Sequence, residues 1–320
     1  MLTARSVPVL GPWQQPHETF IERPLYTGLA IDPPNPVEID DAIEILDINH
    51  KLKTFEARVH IANAALLFGT EWVDLARQEG WSRYFEHRPH DLMLPRVVTE
   101  PFNLDQQTTD GVPAITIYFG FSARTGVGGE HIERSRVICD GTTYADFFND
   151  YRHKEQTAVS IVEAARRLVK HTALDPISGG DYFSHDVVGR FMVIANFIVA
   201  KEMGRQQIPW LFRNHSKLAY ETWDNKEERE QFERMRVALY GATALKHEAL
   251  RLKRYCHFTS PLRRFADLAN HINLEAHMRG EDPPYSHKDI KHIARELTAL
   301  FVSRSRCMRD HKTSIASPNE

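Results

Sequence analysis

The sequence predicts an α+β fold, one domain in which helices pack on a curved mixed sheet, and three observations predict it. From residue 28 to about 138, apolar and polar side chains alternate in short runs such as Glu56-Ala57-Arg58-Val59-His60-Ile61 and Ala114-Ile115-Thr116-Ile117-Tyr118-Phe119, with turns such as Gly126-Val127-Gly128-Gly129 between them. Beyond Tyr144 the period becomes helical: Ile161, Ala164, Ala165, Leu168 and Val169 recur at three- and four-residue steps, as do Val188, Met192, Ala195, Val199 and Met203. A chain of 320 residues with 42% hydrophobic content is long enough for one large core.

Taken in order, residues 1–23 carry Pro8, Pro12 and Pro16 and are expected to run extended before a body spanning 24–313. Leu29, Ala30 and Ile31 read as a buried strand end closed by Asp32, and Pro33, Pro34 and Pro36 prevent ladder pairing and force a loop. Asp40 and Asp41 then open a strand-like run from Ala42 to Ile48. Further helices are expected at about 226–253, 260–279 and 287–313, with a polar tail over 314–320. Thr259-Ser260-Pro261 supplies a helix start, which places Arg263 and Arg264 in the first turn.

Two stretches carry chemistry. Asp32, Glu38, Asp40 and Asp41 crowd four carboxylates into the span 32–41. Like charges held this close raise one another's pKa unless a cation neutralises them, and oxygen-only ligands suit magnesium or manganese. A calcium loop fits poorly, because Val37 stands where its sixth-position glycine is needed. A solvated acidic loop is the plainer alternative. Arg263 and Arg264 at a helix N-terminus oppose the macrodipole unless an anion sits there, and a phosphate would satisfy both backbone amides and guanidinium forks. The alternative is that one of the two pairs with Asp267.

The chain resembles the ribonuclease II (RNB) family of exoribonucleases. Asp32 and its spacing to Glu38, Asp40 and Asp41, followed by Ala42-Ile43, look like that family's catalytic signature. Blocks in the family's order follow: Val59-His60-Ile61-Ala62, Val73-Asp74-Leu75-Ala76, Ser82-Arg83-Tyr84-Phe85 and Met93-Leu94-Pro95. Ser135-Arg136-Val137-Ile138 with Tyr144, Ile194-Ala195-Asn196, Phe212-Arg213-Asn214-His215 and the stretch His257 to Leu268 complete them. The resemblance implies an RNB-type catalytic domain that hydrolyses single-stranded RNA, or short oligoribonucleotides, from the 3′ end to nucleoside 5′-monophosphates. It implies Mg2+ (or Mn2+) held by Asp32, Asp40 and Asp41, with Glu38 at the fourth acidic place. Asp40, Asp41 and Arg263 would be catalytic, Arg263 clamping the scissile phosphate. Tyr84 would stack on the 3′-terminal base, and Ser260, Arg264, Asn196, Arg213 and His215 would complete the RNA contacts; Tyr84 packed in the core is the plainer alternative.

Three departures bear on activity: Glu38 where the family usually has aspartate, Asn63 in place of the aspartate of the "HIAD" block, and Met308 where an acidic residue is usual. They favour a competing reading, a regulatory RNA-binding module that has lost turnover; a phosphodiesterase acting on another nucleic acid is a third. The formal charge of −3 argues against a generally basic nucleic-acid surface, so an RNA path should be lined locally by Arg251, Lys253, Arg254, Arg263 and Arg264. No run of about 18 apolar residues and no hydrophobic signal core occur, so no membrane partner is expected. Three cysteines without metal spacing fit a reducing cytoplasm. Neither end has room for the OB-folds of larger family members, which points to short substrates or to a partner protein that delivers RNA.

Overall fold

The computed structural model describes residues 20–315 except 86, 107, 173–175 and 224; the side chains of 170–172, 181 and 305–315 also lie outside the description. Of the segment expected to be extended, residues 1–19 fall outside it, as does the tail from 316.

Five strands form the predicted sheet: β1 (Leu25–Asp32), β2 (Asp41–Asn49), β3 (Thr54–Ala62), β4 (Val112–Ser122) and β5 (Gly126–Thr143). The sheet curves until it closes: β1 pairs antiparallel with β2 and parallel with β5, from Leu25 opposite Arg136 to Asp32 opposite Thr143. A five-stranded barrel has room inside only for side chains. A Cβ on Gly28 would lie 3.1 Å from both Ala42 Cβ and His60 Cδ2 and 3.5 Å from Cys139 Sγ, so β1 carries glycine where the walls come closest. His60, Thr116 and Ser135 fill the same interior as a hydrogen-bonded chain, His60 Nδ1 lying 2.8 Å from Thr116 Oγ1 and Thr116 Oγ1 2.6 Å from Ser135 Oγ.

The alternate face of β3 and β4, with Phe55, Val59, Ile61, Ile115, Ile117 and Phe119, packs against helices. After α1 (Glu71–Glu79) and α2 (Arg96–Thr99), these are α3 (Tyr144–Arg152), α4 (Gln156–Thr172) and α5 (Phe183–Gln206). By length and composition α5 could cross a membrane, but 72% of its apolar window is buried, so it serves here as the central core helix. Each fully buried large side chain contributes roughly 1.5–3 kcal/mol. A second cluster, with Ala30, Ala62, Leu262, Phe265, Leu268, Ile272, Ile290 and Leu297, lies between the other barrel positions and α8 (Phe265–Met278) and α9 (His287–Ile315).

One expected element is corrected. The helix predicted over 226–253 stops at Met235: β6 (Phe212–Asn214) precedes α6 (Lys217–Glu221) and α7 (Lys226–Met235), and after Arg236 at φ 49° the chain returns as β7 (Leu239–Gly241) to pair antiparallel with β6. The Asn214 side chain fixes the return, donating to Thr243 O (3.0 Å) and accepting from Leu245 N (3.0 Å). These contacts outweigh the helical periodicity of the local sequence.

Candidate active site at the barrel mouth

The C-terminal ends of β1, β3 and β5 and the N-terminal ends of β2 and β4 share one end of the barrel, which brings Asp32, Asp40 and Asp41 together across the proline loop. Asn103 holds that loop: its Oδ1 accepts from Ile39 N (3.1 Å), its Nδ2 donates to Val37 O (3.3 Å), and Leu104 N donates to Ile39 O (3.1 Å). From the strand side, Ala62 N donates to Asp40 O at 2.8 Å.

Asp40, 3% exposed, joins the two motifs. Its Oδ1 accepts from Leu262 N (2.8 Å) and its Oδ2 from Arg263 Nε (3.2 Å), a contact across 223 residues of sequence. The Arg263 side chain is 40% exposed, so the guanidinium reaches from a buried carboxylate to solvent.

The helix expected to include Arg263 and Arg264 begins one residue after them, at Phe265. Asp267, in the first turn of α8, accepts from Ser260 N (2.8 Å) and from Arg264 Nη2 (2.7 Å), and Ser260 O accepts from the amides of Arg263 (3.3 Å) and Arg264 (3.0 Å). These bonds wind 260–263 into a turn and leave Arg264 extended at φ −139°, ψ 123°. The anticipated pairing with Asp267 is thus realised by Arg264, and Arg263 goes to Asp40.

Charge at the mouth is unbalanced. Burial pushes the Asp40 carboxyl up to about 7 against the pull of Arg263, and lifts Asp32 to about 6, with Arg263 opposing and Asp105 adding. Burial, then Asp32 and Asp40, hold Asp41 well above the usual carboxylate range. Burial also works against the Arg263 charge, yet Asp40, Tyr84 and Asp41 outweigh it and keep its pKa above that of a free guanidinium. Among the described residues neither the Asp32 nor the Asp41 carboxylate accepts a hydrogen bond or forms an ion pair. Crowded oxygen donors without protein partners suit a hard cation. Among the described residues, however, no group of three or more His, Cys, Asp or Glu is placed to hold a metal as it stands.

Of the other expected site residues, Glu38 and Tyr84 stand beside Arg263 and the rest are dispersed. Glu38 accepts from Ser82 Oγ (3.1 Å) and Tyr84 OH (2.9 Å), and Tyr84 is 45% exposed at the edge of the mouth. Ser260 and Asn196 are buried beneath the arginine loop. The Asn196 amide acts as a backbone brace, accepting from Phe258 N (2.8 Å) and donating to Tyr255 OH (3.0 Å). Arg213 lies with its guanidinium 4.4 Å from the Tyr240 ring centre. His215 is occupied by the hairpin, Nδ1 accepting from Ala249 N (3.2 Å) and Nε2 donating to Arg236 O (3.1 Å).

Sequence reasoning missed Asn103 and Asp105, whose Asn-Leu-Asp turn carried no signal beyond its composition. It passed over Tyr144 as a site residue; burial and the charges of Asp32 and Asp41 push that phenol up to about 12. Asn63 has a partner that accounts for it. Its Nδ2 donates to Glu275 Oε2 (2.9 Å) while its Oδ1 accepts from Ala65 N (3.2 Å). An aspartate could accept but not donate, and would oppose Glu275. The side chain of Met308 lies outside the described residues.

Residues 225–280, which include the arginine loop, match the RNB domain family. The whole described fold is similar to Mycoplasma genitalium RNase R solved in complex with ribose-methylated single-stranded RNA. That likeness has a TM-score of 0.74 at 17% identity, covering 93% of this chain and 59% of that one. The fold is that of the RNB catalytic domain. Another structure with this RNB fold is yeast Ssd1, a pseudonuclease, with a TM-score of 0.70 at 15% identity over 91% of this chain and 44% of that one. An uncharacterized ribonuclease of Synechocystis is 40% identical over 53 residues, 17% of this chain and 8% of that protein. The chain therefore spans little more than half the length of these RNB relatives, or less.

Proposed function

We propose that this protein with an RNB-type fold is a ribonuclease of the RNB family that degrades single-stranded RNA hydrolytically from the 3′ end, releasing nucleoside 5′-monophosphates with the help of magnesium. The observation that carries the reading is the meeting of the Asp32, Asp40 and Asp41 carboxylates with Arg263 at one end of the barrel, where the acids outnumber the cations that answer them.

Asp32, Asp41 and Asp40 are the residues that would hold a divalent ion. A bound ion there supplies Lewis acidity and lowers the pKa of water at the site. The chain's own groups do the rest. Arg263, anchored by Asp40 yet partly exposed, binds the phosphate between the last two nucleotides and offsets the charge that grows on its oxygens. Water adds to phosphorus, the 3′ oxygen of the penultimate nucleotide leaves, and the strand ends in a new 3′-hydroxyl. Tyr84 offers an exposed ring face beside Glu38 and Arg263 for the terminal base. Such stacking contributes ~1–3 kcal/mol per base without selecting sequence.

The test is a 5′-labelled RNA of about 30 nucleotides incubated with the protein and magnesium, beside Asp40→Asn. A ladder that shortens from the 3′ end and is absent in the variant supports the reading. Intact RNA that still binds would favour the second reading, a regulatory module like the pseudonuclease Ssd1 in fold, and Asp40 tied down by Arg263 is the observation in its favour.

A further inference from the structure

Glu38 differs from the other acidic residues of the mouth in that two neutral side chains from a single segment take both of its oxygens. Residues 81–84 run extended between the arginine loop and Asp91. Phe265 N donates to Gly80 O (2.7 Å), Ser82 N to Arg263 O (2.9 Å), and Arg83 and Asp91 exchange both backbone bonds (2.7 and 2.9 Å). In an extended chain residues 82 and 84 share a face. Both side chains on that face end on Glu38, Ser82 at Oε1 and Tyr84 at Oε2. Ser82 Oγ also accepts from Met93 N (2.9 Å), which leaves its own proton to Glu38.

Tyr84 is thereby held at two points. Its hydroxyl is fixed by Glu38, and its ring stands edge-on to His90, centroids 5.4 Å apart at 73°. His90 is itself set by Phe85 N, which donates to its Nδ1 at 3.1 Å. Glu38 is 6% exposed, so the anchor is buried while the ring stays open to solvent. Side-chain length matters here. An aspartate would be shorter by one carbon–carbon bond, roughly 1.5 Å, which is enough to break a 2.9 Å hydrogen bond.

We infer that Glu38 is a positioning residue for Tyr84 and not a ligand of the metal: through the Tyr84 hydroxyl it sets how the ring meets the last base, and so the length at which degradation stops. The inference rests on the ribonuclease reading for its consequence, though not for the contact itself. Acidic residues two apart thus divide the work, Asp40 holding the arginine loop and Glu38 the tyrosine segment.

The experiment uses the full chain labelled with 3-fluorotyrosine, with Tyr84→Phe to assign the Tyr84 fluorine resonance and Asp41→Asn as the metal control. In Glu38→Ala the Tyr84 resonance moves, magnesium affinity by calorimetry stays within twofold of the wild type, and the limit product from 5′-labelled RNA lengthens by as much as in Tyr84→Phe. Glu38→Asp gives no rescue of product length. Glu38→Gln, which keeps the volume and one acceptor, replaces the alanine variant should that one unfold, and shows the same changes at smaller amplitude. An unmoved Tyr84 resonance together with a tenfold or greater loss of magnesium affinity would make Glu38 a ligand and overturn the inference. If the wild type shortens no RNA, the exonuclease reading falls separately, and the Tyr84 resonance alone then decides the brace.

Discussion

Two buried acidic centres of this molecule have opposite surroundings. Glu275, 2% exposed, receives Asn63 Nδ2 at 2.9 Å and has Arg134 (3.3 Å), Arg279 (3.6 Å) and Arg23 (3.7 Å) around its carboxylate. At the barrel mouth Asp32, Asp40 and Asp41 share Arg263, and two of the three carboxylates accept no hydrogen bond among the described residues. A carboxylate that serves the fold is surrounded by donors, because an unpaired buried charge costs several kcal/mol. On the proposed function, a cluster left short of donors is where a cation from solution and a phosphate would complete the balance.

The largest effect is expected from emptying the saturated centre. Glu275→Ala leaves three arginines facing one another and is expected to cost about 3–5 kcal/mol of stability, read from the denaturant midpoint; a neutral result would mean that the cluster is not structural. At the mouth, Arg263→Ala is expected to slow single-turnover RNA cleavage roughly 10²–10³-fold, about 2.7–4 kcal/mol of transition-state stabilisation. Asn63→Asp tests the donor rule at one atom pair. It replaces a donated hydrogen bond by two opposed carboxylates and should lower stability by about 1–3 kcal/mol, measured by thermal unfolding.

The mildest perturbation of the mouth is a change of pH. Burial raises Asp32 to about 6 and Asp40 to about 7, so the folded state holds protons more readily than the unfolded chain. That contribution is complete below pH about 4 and is lost as pH rises through 6 and 7. In chelator the wild type should therefore lose stability steadily between pH 5 and 8, read from the denaturant midpoint. Asp41→Asn removes one of the repelling charges and should flatten the slope. A steeper loss in Asp41→Asn than in the wild type would contradict the charge deficit assigned to the mouth.

Much of this was legible in the sequence, for identifiable reasons. Period-two alternation exposed the strands, and the crowding of Asp32, Glu38, Asp40 and Asp41 exposed the mouth. Alternation says nothing about which strand lies next to which, so the parallel pairing of β1 with β5 that closes the barrel could not be read from it. Helical periodicity around 226–253 was overruled by the side chain of Asn214, a contact that no local pattern encodes. Asn63 looked like a loss because its partner, Glu275, lies 212 residues away. Glu38 looked like one more carboxylate because composition does not reveal that its extra methylene reaches Tyr84.

In the proposed function the donor-poor mouth drives metal-dependent RNA hydrolysis. The most direct measurement is chromatographic release of nucleoside 5′-monophosphates from single-stranded RNA, with magnesium or with chelator, by the wild type and by Asp41→Asn. Release is expected only from the wild type with magnesium. Equal release in chelator, or by Asp41→Asn, would contradict it.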